Sequence, residues 1–263
     1  MERNGKKEKW NRLLDAFSGK GTSLSVPAMP DYPQKDPGEM AKKLEKIPER
    51  VWGMYAFGRE PLEGKFTKEQ KYEYIRKANA CGRAWAEKVA KEYNAVEPGI
   101  LAERMGMKVL KKKAPAGGGI VLFAQFVQPD EITLFTDCIA RAQKTFEESG
   151  CLLLEKKTLT AVLLAHELFH AVEERHAGEI YTRTEKVELW RRPFSNRSSI
   201  VCLSEIAAMA FAAQLTGLKV SPYMLDILLV YAYDKNAAWG LYDEVCGLWR
   251  EEQKKIKNNI CLD

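Results

Sequence analysis

His166-Glu167-Leu168-Phe169-His170 places two imidazoles and a carboxylate within five residues. On a helix, residues four apart lie about 40° apart around the axis and one turn along it. His166 and His170 therefore project from one face and can hold one Zn²⁺ through neutral imidazole nitrogens. Glu167 flanks that face, where it can take a proton from a water that the metal activates. The chemistry specified is hydrolytic attack on a polarised carbonyl. A chance match of this kind is expected in roughly one chain of this length in a hundred or fewer.

A catalytic zinc takes three protein ligands and keeps one position open. The remaining histidine, His176, completes the ligand spacing of the metzincin proteases, but Glu173 stands where that pattern has a chain-turning glycine. If the helix continues, His176 points roughly 120° away from His170. The stronger candidate is Glu205, in Ser204-Glu205-Ile206-Ala207-Ala208-Met209-Ala210. An alanine-rich helix can approach the metal helix closely, and a lone carboxylate on it is expensive to bury unless paired or bound to a metal. The bland alternative keeps Glu205 at the solvent edge or bonded to an arginine. Glu173, Glu174 and Glu179 read as solvated or cleft-lining, and Tyr181, His176 and Arg183 are the candidates for steadying an oxyanion.

These residues need elements to position them. Thr158 at an N-cap, followed by the apolar run Leu159–Ala165, predicts a buried metal-bearing helix over Thr158–Glu174. Ser198 and Ser199 are expected to cap a small-residue helix, Ile200–Leu215, ended by Gly217, with Gly178–Asn196 irregular before it. Upstream, Thr67 with Glu69-Gln70 starts a helix that runs to Asn94, and Pro98 opens a short one ended by Gly106. Strands are expected at Met107–Leu110, Ile120–Val127 and Glu131–Phe135, broken by Gly117-Gly118-Gly119 and turned by Pro129-Asp130, as a hairpin or meander. Further helices fall at Ile139–Glu148, from Ser221-Pro222 to Tyr233, and at Asn236–Lys257, whose stripe of Leu241, Tyr242, Val245, Leu248 and Trp249 reads as core packing.

The 263 residues, 46% hydrophobic and with a formal charge of +5, suffice for one large domain with an appendage and point to no particular charged partner. Residues 1–70 read as an N-terminal extension, partly flexible: a short amphipathic helix at Trp10–Phe17, a proline-bearing linker over Ser18–Gly38, and a charged, aromatic segment that could wrap the domain or dock on a partner. Residues 71–263 form the main domain. The start lacks a secretory signal, no apolar stretch is long enough for a bilayer, and six scattered cysteines read as reduced thiols, so a cytoplasmic location is expected.

On three stretches the chain resembles the ImmA/IrrE family of zinc metallo-endopeptidases of bacteria, phages and integrative elements. Ala84–Tyr93 with Pro98–Val109 looks like its first helix, turn and strand; Leu164–Ala171 is similar to its metal helix; Glu205–Leu215 resembles the helix that supplies its third ligand. The segment between His170 and Glu205 is longer than the family's, and Leu215-Thr216-Gly217-Leu218 lacks a proline usual there. The resemblance implies His166, His170 and Glu205 as zinc ligands and Glu167 as base. It implies cleavage of a regulatory protein, such as a transcriptional repressor of a mobile element.

The expectation is an α+β, mostly helical zincin-like domain whose small sheet offers an edge strand to an extended peptide beside the metal. Its activity would be zinc-dependent endopeptidase cleavage of a specific protein. Two alternatives stand beside it: a zinc-containing, non-proteolytic binding protein, and a metzincin-like protease using His176. A membrane partner is not expected, nucleic acid is disfavoured for want of a helix-turn-helix, and no oligomeric state is implied.

Overall fold

The structure, a computed structural model, describes residues 36–115, 121–147, 151, 153, 155–190 and 196–260. The helix and linker expected before residue 36, and the glycine break at 117–119, lie outside the described residues.

Helices α1 (Pro37–Leu44) and α2 (Glu49–Phe57) come first. Asp36 caps α1 by accepting from the Gly38 N–H at 3.1 Å, with Pro37 as the first helical residue. Met40, Leu44, Val51, Trp52, Tyr55 and Phe57 are each 1% exposed or less, and they join the same apolar cluster as the rest of the chain. The boundary expected at residue 70 therefore falls inside packed structure. Charged residues interleaved on the outer faces of these short helices conceal that inward stripe from composition alone.

A one-turn 3-10 helix at Glu63–Lys65 leads to α3 (Lys68–Glu92), which begins as expected. Thr67 Oγ1 accepts from the Gln70 N–H, and Gln70 Oε1 accepts from the Thr67 N–H, a reciprocal capping box. Helix α4 (Pro98–Arg104) is capped by the Glu97 carboxylate and followed by Gly106 at φ +71°. Strands β1 (Lys108–Lys112), β2 (Ala124–Val127) and β3 (Glu131–Phe135) form a sheet of order β1-β3-β2. The β2–β3 hairpin pairs Phe126 with Ile132, while β1 runs parallel to β3, so the sheet is not a meander and β2 is an edge.

Helix α5 (Thr136–Phe146) precedes α6 (Lys156–Arg175), the helix that carries both candidate histidines. Thr158 lies inside the first turn of α6 rather than at its cap, because a charged, exposed turn precedes the apolar run. Between Leu159 and Glu173 only Thr160, Ala161, His166 and His170 escape full burial. The stretch expected to be irregular contains α7 (Tyr181–Thr184) and strand β4 (Lys186–Trp190), which pairs antiparallel with β5 (Asn196–Ser199). Strand β5, Asn196-Arg197-Ser198-Ser199, carries only polar residues, and the alternation of Lys186-Val187-Glu188-Leu189 in β4 is short and half-exposed, with a charged run before it. Ser198 and Ser199 sit in β5, and α8 (Cys202–Thr216) starts later than expected, ending at Gly217 with φ +70°. Helices α9 (Met224–Tyr231) and α10 (Lys235–Ile260) complete the described chain.

The architecture is α+β and mostly helical, with α6 at its centre between α8, α4 and the sheet, and α8 also packed on α3. Among the described residues no disulfide forms, and no helix is long and apolar enough to cross a membrane.

Candidate metal centre

From Val162 to Glu173 only the two histidines of α6 are less than fully buried, and they share one face of the helix. Opposite stands the first turn of α8, brought close because alanines 207, 208, 210 and 212 have little side chain to hold the helices apart. Glu205 projects from that turn. His166 Nε2 lies 3.2 Å from His170 Nε2 and 3.4 Å from Glu205 Oε2, and His170 Nε2 lies 3.7 Å from Glu205 Oε1. Ligands about 2.0–2.1 Å from a tetrahedral zinc are spaced by roughly 3.3–3.4 Å, the edge of that tetrahedron. The two contacts to Glu205 run to its two different oxygens, and the three side chains lie close enough together to hold one metal ion. They are the one group of this kind among the described residues, and two imidazoles with one carboxylate suit several divalent transition metals.

The same proximity sets the charges. Burial pulls the His166 imidazole towards its neutral form, but hydrogen bonding to Glu205 and the charges of Glu205, Glu167 and Asp226 hold its pKa up at about 9. Burial pushes the Glu205 carboxyl up, and the His166 bond with the charges of His170 and His166 bring it down to about 2. Although 43% of the Glu205 side chain is open, it opens into a pocket, so the two imidazoles govern its charge more than bulk water does. A divalent cation would take the place of the proton shared there, since metal-ligating histidines must be neutral.

Glu167 is buried beside the pair and accepts a 2.7 Å hydrogen bond from the Phe126 N–H of edge strand β2. That strand's outward backbone therefore faces the metal helix. A cavity of about 290 Å³ adjoins His166, Glu167 and Glu205, with Phe123, Val162, Leu163, Met209, Leu225 and Leu229 in its wall. At about 30 Å³ per water, it can take a large side chain.

Three polar residues of that wall escaped the sequence reading: Arg59, Tyr223 and Asp226. Arg59 is held by the Glu244 carboxylate through two 3.1 Å bonds and stacks on Tyr55. The buried Tyr223 hydroxyl has no hydrogen-bond partner among the described residues, and burial pushes its pKa up, followed by the nearby Glu205 and Asp226 charges. Burial drives the Asp226 carboxyl up to about 7 against the pull of Arg59, with Glu205 adding to the rise. Asp226 carried the signal used for Glu205, a lone acid on an apolar helix; Arg59 and Tyr223 carried none.

The other candidates go elsewhere. The His176 imidazole meets Glu179 at 2.6 Å and packs against the Trp85 ring, away from the cluster of three. Arg183 pairs with Glu174 at 2.5 Å, and neither it, Tyr181 nor His176 lines the cavity. Glu179 is exposed, as expected, but Glu173 is not solvated: it is 5% exposed. Its Oε1 accepts from the Thr182 hydroxyl at 2.6 Å and its Oε2 from the Ser204 hydroxyl at 3.0 Å, with Arg183 Nε 3.6 Å away. Ser204 Oγ in turn lies 3.4 Å from His170 Nδ1. Spacing on the chain gave no sign of this, because Thr182 and Ser204 reach Glu173 from two different helices. Compared with protein-family models, curated proteins and solved structures, the chain matches none.

Proposed function

We propose that this chain is a zinc-dependent endopeptidase of zincin-like fold, cleaving a specific protein substrate such as a transcriptional regulator. The observation that carries the reading is the convergence of His166, His170 and Glu205, whose nearest nitrogen and oxygen atoms lie 3.2–3.7 Å apart, with Glu167 beside them. The bound metal would supply Lewis acidity, polarising the scissile carbonyl and acidifying water. Glu167, fixed by the Phe126 N–H, accepts the proton of the attacking water and delivers it to the leaving amine. Edge strand β2 offers backbone groups along which an extended peptide can align, and the apolar cavity receives one of its side chains. The resemblance to ImmA/IrrE endopeptidases assigns the same four residues. The metzincin-like alternative has no support from His176, which is bonded to Glu179. The non-proteolytic alternative rests on the aromatic and basic character of the first 70 residues, of which Trp52, Tyr55, Phe57 and Phe66 are in the core.

Zinc content and cleavage, measured side by side, test the reading. Wild type and His176→Ala should each hold about one zinc per chain, and Glu205→Ala should lose it. Glu167→Gln should keep zinc while proteolysis of a casein or peptide-library probe, followed by mass spectrometry, falls by about 10²–10⁴-fold. Undiminished turnover by Glu167→Gln, or full zinc content in Glu205→Ala, would overturn it.

A further inference from the structure

Glu173 is a buried carboxylate that accepts from hydroxyls of two other helices, with the Arg183 guanidinium 3.6 Å away. Both hydroxyls donate to it, so Glu173 is the acceptor in each bond. The single proton of the Ser204 hydroxyl is therefore committed to Glu173 Oε2, at 3.0 Å. Towards His170 Nδ1, 3.4 Å away, Ser204 Oγ can then only accept. An acceptor at that position requires the proton of the neutral imidazole to sit on Nδ1, leaving a lone pair on Nε2. The 3.2 Å approach of His170 Nε2 to His166 Nε2 is compatible with that lone pair, since one of the two nitrogens must accept.

We propose that Glu173 and Ser204 form a positioning relay that fixes the tautomer of His170 and turns its Nε2 lone pair towards the metal position. This rests on the metal-centre reading for its purpose, but the tautomer itself exists with or without an ion. Thr182 and Arg183 of α7 complete the relay by orienting Glu173. The chemistry follows from a general property of metal sites, where the non-ligating nitrogen of a histidine donates to an outer partner and sets the ring. Here the donation passes through a serine hydroxyl to a carboxylate one turn along the same helix. Without Glu173, the Ser204 hydroxyl is free to donate to Nδ1, which moves the ring proton to Nε2 and blocks the metal face.

The test has two arms. Long-range proton–nitrogen NMR of the metal-free full chain at alkaline pH reads the His170 tautomer directly. Zinc affinity, by competition with a chromophoric chelator, reads the consequence. Wild type should show the Nδ1-protonated form. Ser204→Ala and Glu173→Leu should shift the ring towards the Nε2-protonated form and weaken zinc about 10–100-fold, and Ser204→Thr, which keeps the hydroxyl, should restore both. An Nε2-protonated ring in wild type would overturn the relay. So would Ser204→Ala leaving the tautomer unchanged, or leaving zinc affinity within twofold of wild type. Should wild type bind no zinc, the metal reading fails and the NMR arm alone decides the relay.

Discussion

Asp226 is the residue where burial and charge conflict most sharply, because its carboxyl sits in the cavity wall with a pKa pushed up to about 7. Unfolded, the same carboxyl titrates near its ordinary value of about 3.9. Between those values the folded state binds more protons than the unfolded one, so stability falls as pH rises through that window. At 1.36 kcal/mol per pKa unit, the loss is on the order of 3–4 kcal/mol by neutral pH. Asp226→Asn keeps the shape and removes the charge, so urea unfolding of the metal-free protein should show a much flatter change between about pH 4.5 and 8. An unchanged slope in the variant would show that the carboxyl is not desolvated. At this scale the sequence was legible wherever one residue type carries one chemistry. His166, Glu167, His170 and Glu205 could each be picked out by spacing or by the cost of burying a charge. Glu173 was misjudged because three residues past a histidine looks like a helix exit, and only the return of α7 and α8 covers it.

Elements that carry local signals were legible, and those defined by their neighbours were not. The Thr67–Gln70 capping box, Pro98 and the left-handed Gly106 and Gly217 mark ends by chemistry within a few residues. Strands β4 and β5 depend on pairing with each other; β5 is all polar, and only the short alternation Lys186-Val187-Glu188-Leu189 marks β4. The close approach of α3 to α8 belongs with these hidden facts, and it sets where Glu205 stands. A Cβ added at Gly82 would lie 2.1 Å from the Ala207 carbonyl oxygen and 3.0 Å from the Phe211 nitrogen, both backbone atoms. Gly82→Ala must therefore push the two helices apart, costing about 1–3 kcal/mol or more as overpacking. It should also weaken zinc binding, since α8 carries Glu205 two residues before Ala207. Gly64→Ala, with open space around its added carbon, is the control and should change neither. Denaturant midpoints and zinc titration of the two variants check this, and an unperturbed Gly82→Ala would mean that the helices are not locked at this contact.

The whole molecule differs from its sequence reading in where it starts. Composition places a boundary near residue 70, because prolines and charges dominate before it, yet composition averages over faces that a helix keeps separate. In space, α1, α2 and the turn between them insert Met40, Leu44, Ile47, Val51, Trp52, Tyr55 and Phe57 into the common core, and Phe66 follows. Trp52 stacks on Tyr223 with ring centroids 6.1 Å apart, linking α2 to the cavity wall. Arg59 reaches Glu244 on α10, and Arg50 and Lys68 reach Glu252. A chain beginning at residue 71 loses, besides Ala41 and Ala56, eight large buried apolar side chains, worth about 1.5–3 kcal/mol each. The loss, on the order of 12–24 kcal/mol, exceeds the 5–15 kcal/mol of a typical domain. It also strips Glu252 of both its cations and opens the cavity beside Tyr223. Residues 71–263 made alone should therefore lack cooperative thermal unfolding and dispersed amide NMR signals, and should not hold zinc at the stoichiometry of the full chain. A truncated protein that melts cooperatively within a few degrees of the intact one would show that these helices are an appendage after all, and that the core closes without them.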